Sequence, residues 1–169
     1  MLTILLYRPQ IPQNTGNIVR TCHATGSDLI LVRPLGFKMN DKSLKRAGLD
    51  YWEDVKVTLI DDLMEFLEKE TRPFYFFSSK ASTYYTETTI EENAILIFGS
   101  ESEGLPDKYH LRWPEHFLTL PMRKESRCLN LSNAAAIALY EALRQSQFIS
   151  LKNHDLCGSC KIFDRISIS

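Results

Sequence analysis

Short, almost continuously apolar runs alternate with helix-like stretches along most of this chain. The runs are Leu2–Tyr7, Leu29–Val32, Val55–Ile60, Phe74–Phe77, Ala94–Phe98 and Phe117–Leu120. Strands buried on both faces of a parallel sheet read this way, whereas half-exposed strands alternate apolar and polar residues. Between the runs, the spacing predicts a helix from about Asn17 to Ala24, stopped by Gly26. A second helix begins at Asp61 or Asp62, where acids suit the N-terminal end, and sets Leu63, Phe66 and Leu67 on one face. The clearest helix spans about Ser132 to Gln147. Its Ala134–Leu139 portion is apolar nearly all round, which predicts deep packing against the sheet or against another subunit. Strands alternating with helices predict an α/β fold, a mostly parallel sheet with helices on both faces. After about Phe148 the pattern decays. Residues 149–169 read as a peripheral tail, with at most a short element around Ile162–Ile168.

Composition narrows the class without changing this picture. With 169 residues, 44% hydrophobic and 24% charged, the chain falls outside collagen-like, low-complexity and disordered classes and fits one domain. At this length a core buries roughly 70% of the unfolded surface, so neither disulfides nor a structural metal are needed. No apolar run approaches the ~20 residues of a membrane helix. The apolar start, Met1–Tyr7, lacks a basic leader and a cleavage site, so it reads as a strand and the expected location is the cytoplasm. Cys22, Cys128, Cys157 and Cys160 are then expected to be reduced thiols. Net charge is −1, yet it is unevenly spread. Residues 1–50 hold 7 Lys+Arg against 3 Asp+Glu, residues 51–119 hold 6 against 14, and residues 120–169 hold 7 against 4. If the two ends meet in the fold, a basic face coexists with a near-neutral total.

Three strand ends lead into polar loops that feed helices. The first is Arg8-Pro9-Gln10-Ile11-Pro12-Gln13-Asn14-Thr15-Gly16-Asn17-Ile18-Val19-Arg20. Its single glycine takes most of the weight from a dinucleotide-binding reading. Asn14 and Thr15 suit helix caps, and Arg20, about one turn inside the predicted helix, suits phosphate recognition. The second is the strand end Leu96-Ile97-Phe98 followed by Gly99-Ser100-Glu101-Ser102-Glu103-Gly104-Leu105-Pro106, where glycines allow close backbone approach. The third runs from Leu118 through Pro121-Met122-Arg123-Lys124-Glu125-Ser126-Arg127-Cys128-Leu129-Asn130 into the last helix, with Asn130 and Ser132 as candidate caps. Ligands of open α/β sheets bind beyond the carboxyl ends of strands, where all three loops fall.

Taken together, NTGNIVR, IFGSESEGLP and LPMRKESRCLNLSNAAAIALYEALRQ closely resemble the three motifs of SPOUT-class RNA ribose 2′-O-methyltransferases. The likeness is nearest to the small single-domain branch that methylates the tRNA wobble nucleotide, supported by RPLGF at 33–37 and the Lys42–Tyr51 run. It covers residues 1–148 as one methyltransferase domain and leaves 149–169 as the tail. It implies a C-terminal trefoil knot, bound S-adenosylmethionine, a tRNA anticodon stem-loop as substrate, and a homodimer whose active site draws on both subunits. Carried over by position, Phe77, Gly99, Leu120 and Cys128 line the cofactor, largely through backbone groups. The family usually has serine where this chain has Cys128.

Methyl transfer from a sulfonium to a ribose hydroxyl is an in-line displacement, needing a positioned hydroxyl and a path for its proton. The sulfonium supplies activation, so no metal is required. The resemblance nominates Arg20 for the acceptor side, and Asn130 with it as a catalytic candidate. A guanidinium stays protonated, so clamping the adjacent phosphate and polarising the hydroxyl suits Arg20 better than acting as a base. Asn14, Glu101 and Asn130 are candidates to orient the nucleotide and the arginine. Tyr140 is a candidate for substrate contact or for a helix interface in a dimer. Lys38, Lys42, Lys45 and Arg46 form the best basic cluster for an RNA backbone, and Tyr84, Tyr85 and Trp52 are aromatic enough to stack on bases. His154, Cys157 and Cys160 offer three zinc ligands where a structural site needs four. Two other readings stay open: a non-catalytic RNA-binding or ribosome-associated protein of the same fold, and a 2′-O-methyltransferase of another RNA.

Overall fold

The computed structural model describes residues 1–38, 51–126 and 128–151. Seven strands form one wholly parallel sheet: β1 (Thr3–Tyr7), β2 (Asp28–Val32), β3 (Val57–Ile60), β4 (Phe74–Phe77), β5 (Thr83–Tyr84), β6 (Ile95–Phe98) and β7 (Phe117–Thr119). Their order is β3-β2-β1-β6-β4-β7-β5, with Thr3 opposite both Asp28 and Ile95. Among the described residues the α-helices are α1 (Pro12–Thr25), α2 (Leu63–Lys69), α3 (Asp107–Arg112) and α4 (Leu131–Gln145).

The strand period of two sorts the apolar runs onto two faces. Ile4, Leu6, Leu29, Leu31, Leu96 and Phe98 join Ile18, Val19 and Cys22 of α1 and Ala135, Ala138, Leu139 and Leu143 of α4. Leu5, Tyr7, Ile30, Val32, Ile95 and Ile97 join Leu63 and Leu67 of α2 and Tyr109 of α3. Both faces are thus covered, as the unbroken runs predict. Ile4, Leu5 and Leu6 have no exposed surface, and each such side chain contributes about 1.5–3 kcal/mol by leaving water.

Two helix boundaries fall where the sequence reading places them. Gly26, at φ 65°, closes α1 in the left-handed conformation, with Ser27 N–H donating to Cys22 O at 2.9 Å. The Asp62 carboxylate caps α2, accepting from Met64 N (2.7 Å) and Glu65 N (3.1 Å), and these donors hold its pKa below the usual value.

Several boundaries differ. Helix α1 starts at Pro12 instead of Asn17, because a proline at the first helical position needs no amide partner and is preset for helix. One strand and one α-helix escaped prediction. Strand β5 has two residues, both exposed, and α3 has six with only Tyr109 buried, so neither leaves an apolar pattern. The Val55–Ile60 run yields the strand Val57–Ile60, which among the described residues pairs only β2 and leaves Thr58 and Leu59 exposed.

Strands diverge in connection order on either side of β1. The chain steps from β1 to β2 and β3 one way, while β6, β4 and β7 lie the other way. The loops after β1 and β6 leave from this switch point, where open α/β sheets place ligands.

Candidate active site

A cleft of about 780 Å³ opens beyond the carboxyl ends of β4, β6 and β7. Phe77, Phe98, Leu120, Met122, Leu129 and Leu131 supply apolar wall, and the polar residues include Ser78, Ser79, Thr119 and Asn130. Phe77 and Phe98 stack at 4.9 Å between ring centroids. The size and the few polar groups on an apolar lining suit a small-molecule site. His110 also lines the cleft, its ring stacked on Phe117 at 3.7 Å. Burial, then the neighbouring Lys80 charge, lowers its pKa and favours the neutral ring.

One side of the cleft is a polar chain linking all three loops. The Glu101 carboxylate accepts from Gln10 N (2.8 Å), Ile11 N (3.2 Å) and Asn14 Nδ2 (3.0 Å). Asn14 Oδ1 in turn accepts from Asn130 Nδ2 at 2.9 Å. Asn130 caps α4 as well, its Oδ1 accepting from Ser132 N at 2.9 Å and from Ser132 Oγ at 2.7 Å. Asn14 is therefore not the cap that the sequence suggests. It lies in the first turn of α1, behind Ile11 at the cap position, and Glu101 supplies the negative charge that the helix N-terminus favours. Asn14 is buried, and each polar atom of its amide that faces the chain has a partner.

Of the nine residues that the sequence nominates for catalysis, cofactor or substrate, seven line this cleft: Asn14, Phe77, Gly99, Glu101, Leu120, Cys128 and Asn130. Cys128 is exposed, with Sγ 3.5 Å from Ser79 Oγ. Gly99 is needed for a different reason than expected. A Cβ there would lie 2.3 Å from the Gly104 carbonyl carbon and 2.6 Å from Leu105 N, within its own loop. That loop closes as Ser100 and Gly104 exchange backbone hydrogen bonds of 3.1 and 3.0 Å, with Gly104 at φ 69°. A side chain at 99 would break the loop whether or not a ligand were present.

Arg20 and Tyr140 lie outside the cleft lining. With α1 beginning at Pro12, Arg20 sits more than two turns inside, so it does not stand beside the helix N-terminus. Six residues after Asn14, it is turned roughly 240° around the helix and displaced about 9 Å along it. It shares an exposed stripe with Gln13, Asn17 and Ala24. Its guanidinium carbon lies 5.5 Å from the centre of the Tyr51 ring, a cation–π contact that no spacing in the sequence could reveal. Tyr140 is 46% exposed on α4.

Sequence reasoning missed Ser79, Lys80, His110 and Met122 as cleft residues. Ser79 and Lys80 follow the end of β4, and that position was the available signal. Tyr51, Trp52 and Tyr85 are half-buried against the core, whereas Tyr84 is 47% exposed. Lys42, Lys45 and Arg46 of the basic cluster, Arg127, and His154, Cys157 and Cys160 lie outside the described residues, as does any element at Ile162–Ile168. Among the described residues no group of three or more His, Cys, Asp or Glu side chains is placed to hold a metal ion. No helix among them is long and apolar enough to cross a membrane.

A parallel α/β sheet whose strand-end loops converge on a cleft at the switch point defines an open α/β protein with a small-molecule site. Residues 1–140 match the SpoU rRNA Methylase family, and the chain belongs to it. It is 43% identical over 150 residues to the tRNA (cytidine(34)-2'-O)-methyltransferase of Methylovorus glucosotrophus (strain SIP3-4), across 88% of this chain and 97% of that protein. A solved structure described as giving structural insights into the 2-OH methylation of C/U34 on tRNA is 44% identical, with a TM-score of 0.81 over 88% of this chain and 97% of its own. The fold also matches the SpoU methyltransferase AviRb from Streptomyces viridochromogenes, solved in complex with the cofactor AdoMet. That chain is 22% identical, with a TM-score of 0.77 over 87% of this chain and 58% of its own.

Proposed function

We propose that this protein is an S-adenosylmethionine-dependent tRNA 2′-O-ribose methyltransferase acting on the wobble nucleotide, cytidine or modified uridine at position 34, as a cytoplasmic homodimer. The observation that carries this reading is the convergence of Asn14, Glu101 and Asn130, from three separate loops, beside a nucleoside-sized cleft. The names of the relatives supply the RNA and the position methylated in those proteins. We assign residues 1–148 to the catalytic domain and 149–169 to a peripheral tail. The chain passes from β7, beyond β4, back to α4 against β6, and we read this return as the threaded path of a trefoil knot.

The cleft fits the cofactor: aromatic and aliphatic walls for a nucleoside, with hydroxyl and amide groups for its polar tail. Phe77, Gly99, Leu120 and Cys128 would hold it, and when bound it supplies a methyl group activated on a sulfonium. Glu101 already takes three donors from the chain, so its work is orientation, not proton removal. Asn130 presents its amide between Asn14 and the start of α4, fixed at both ends, and orients the acceptor ribose. Arg20 of a second copy completes the site, because the twist of α1 keeps a subunit's own Arg20 away from its Asn14. Its guanidinium clamps the phosphate next to the acceptor and polarises the 2′-hydroxyl as its proton leaves.

The direct test is transfer of a labelled methyl group from S-adenosylmethionine to bulk tRNA, mapped by nucleoside analysis. The expected product is a 2′-O-methyl at position 34 alone. Cofactor binding without transfer to any RNA would favour the non-catalytic reading, and label in ribosomal RNA alone would favour the other enzyme.

The cofactor position has its own test. Cys128 is exposed in the cleft, whereas burial and the Asp28 charge push the Cys22 thiol up to about 12, leaving it unreactive. Alkylation followed by site-resolved mass spectrometry should therefore label Cys128 and spare Cys22. S-adenosylmethionine at saturating concentration should slow labelling of Cys128 about tenfold or more, as mass action on an occluded site requires. Unchanged labelling at saturation would place the cofactor elsewhere.

A further inference from the structure

The turn that follows β2 touches none of the cleft, yet it bears on the cleft's polar chain through one close contact. Gly36 N–H donates to Pro9 O at 2.9 Å. A Cβ on Gly36 would lie 2.6 Å from Gln10 Cα and 3.0 Å from Gln10 O. Both neighbours are backbone, so no side chain can swing aside. The glycine is set by this approach and not by its φ. Gln10 donates its own N–H to Glu101 Oε2 at 2.8 Å, and the next amide, of Ile11, reaches Oε1. The Gln10 backbone is thus held between Gly36 and Glu101. The segment has little freedom to slide, since Arg8 sits at φ 49° with its N–H on Val32 O at 3.1 Å, and Pro9 follows with a fixed φ.

We propose that Gly36 is a positioning residue that sets the Glu101 carboxylate, and through it Asn14 and Asn130, by fixing the backbone of Gln10. The inference rests on the proposed methyltransferase reading. A methyl group at 36 must displace Gln10 by about 1 Å to restore ordinary contact, which lengthens or misdirects the two amides on Glu101. Misplacement of that size at a reacting centre costs on the order of 10²-fold.

The test is a double-mutant cycle of Gly36→Ala and Glu101→Gln. Gly36→Ala should bind S-adenosylmethionine with a Kd within about twofold of wild type while kcat on tRNA falls roughly 30- to 100-fold. In the Glu101→Gln background the same change should add less than about threefold, because the two act through one unit. Losses that multiply would overturn the proposal, as would a Gly36→Ala enzyme with wild-type kcat. If Gly36→Ala does not fold, Gln10→Gly, which frees the clamped backbone, decides by the same cycle. Hydrogen exchange reads the contact without any activity. Gly36→Ala and Glu101→Gln should each lower protection of the Gln10 and Ile11 amides about tenfold, with the Leu5 amide unchanged. Unaltered exchange at 10 and 11 in Gly36→Ala refutes the proposal even if the chain methylates no tRNA, an outcome that would sink the functional reading separately.

Discussion

Two inactive variants of this protein are expected to restore one another when mixed. Arg20→Ala should lower methyl transfer about 100- to 1,000-fold, the scale for losing a donor that stabilises the reacting centre. Its affinity for S-adenosylmethionine should stay within about twofold, because Arg20 lies outside the cleft. Asn130→Ala should also be inactive, through loss of the Asn14 contact and of the α4 cap. That cap alone is worth about 1 kcal/mol, so the variant should still fold. If Arg20 serves the partner's cleft, a mixed dimer has one site with both wild-type residues and one with neither. Random exchange makes half the dimers mixed, so activity should recover to about a quarter of wild type. Subunits are mixed under mild denaturant, refolded and assayed on tRNA. Activity that stays at the level of the parents would put Arg20 and Asn130 in the same subunit's site.

The sequence carried the sheet well because its strands are buried on both sides. Leu2–Tyr7 and Ala94–Phe98 have no polar interruption beyond Thr3, and that composition alone separates a covered parallel strand from a half-exposed one. Strand β5 and helix α3 left no trace for the opposite reason, being short and mostly exposed. The candidate site divides along a similar line. Residues at strand ends, such as Phe77, Gly99 and Leu120, fall in the cleft because topology places every such end on one edge of the sheet. Contacts between loops could not be read. Nothing across a separation of 116 positions says that the Asn130 amide meets Asn14, and nothing local says that Glu101, not Asn14, answers the start of α1. Gly99 and Gly36 were visible as glycines, but the backbone atoms that exclude a Cβ are Gly104 and Gln10, known only from the fold. Arg20 shows the cost of a misplaced boundary. Five residues of unsuspected helix turned an apparent helix-end arginine into one on a different face.

Assembly should fail, and activity with it, when the exposed apolar face of α4 is charged. Sequence periodicity alone points to Ala138 and Leu139, but both are fully buried against this subunit's own sheet, so substituting them would test the core. The informative positions are Ile137, 41% exposed, and Tyr140, 46% exposed, three residues apart and so on one helix face. Ile11 and Leu129 are exposed to 43% and 41% and also line the cleft, which brings apolar surface to its rim. Ile137 and Tyr140 lie on α4, Ile11 and Leu129 just precede α1 and α4, and those two helices pack on each other, so exposed large apolar side chains at these places suit an interaction surface. The proposal seats a second copy there with its Arg20 toward the open cleft, and a permanent interface of this kind buries on the order of 2,000 Å² or more. Ile137→Glu should leave the monomer's fold intact, since its side chain already meets water, while placing two carboxylates in an apolar contact at a cost of several kcal/mol. Sedimentation velocity at low micromolar concentration should then show a monomer with native circular dichroism. Methyl transfer should drop to roughly the Arg20→Ala level, because the partner's guanidinium no longer reaches the site, while S-adenosylmethionine binding persists in weakened form. Ile137→Ala, which removes apolar area without adding charge, should give an intermediate dissociation constant. A folded Ile137→Glu monomer with full activity would place the whole active site within one chain.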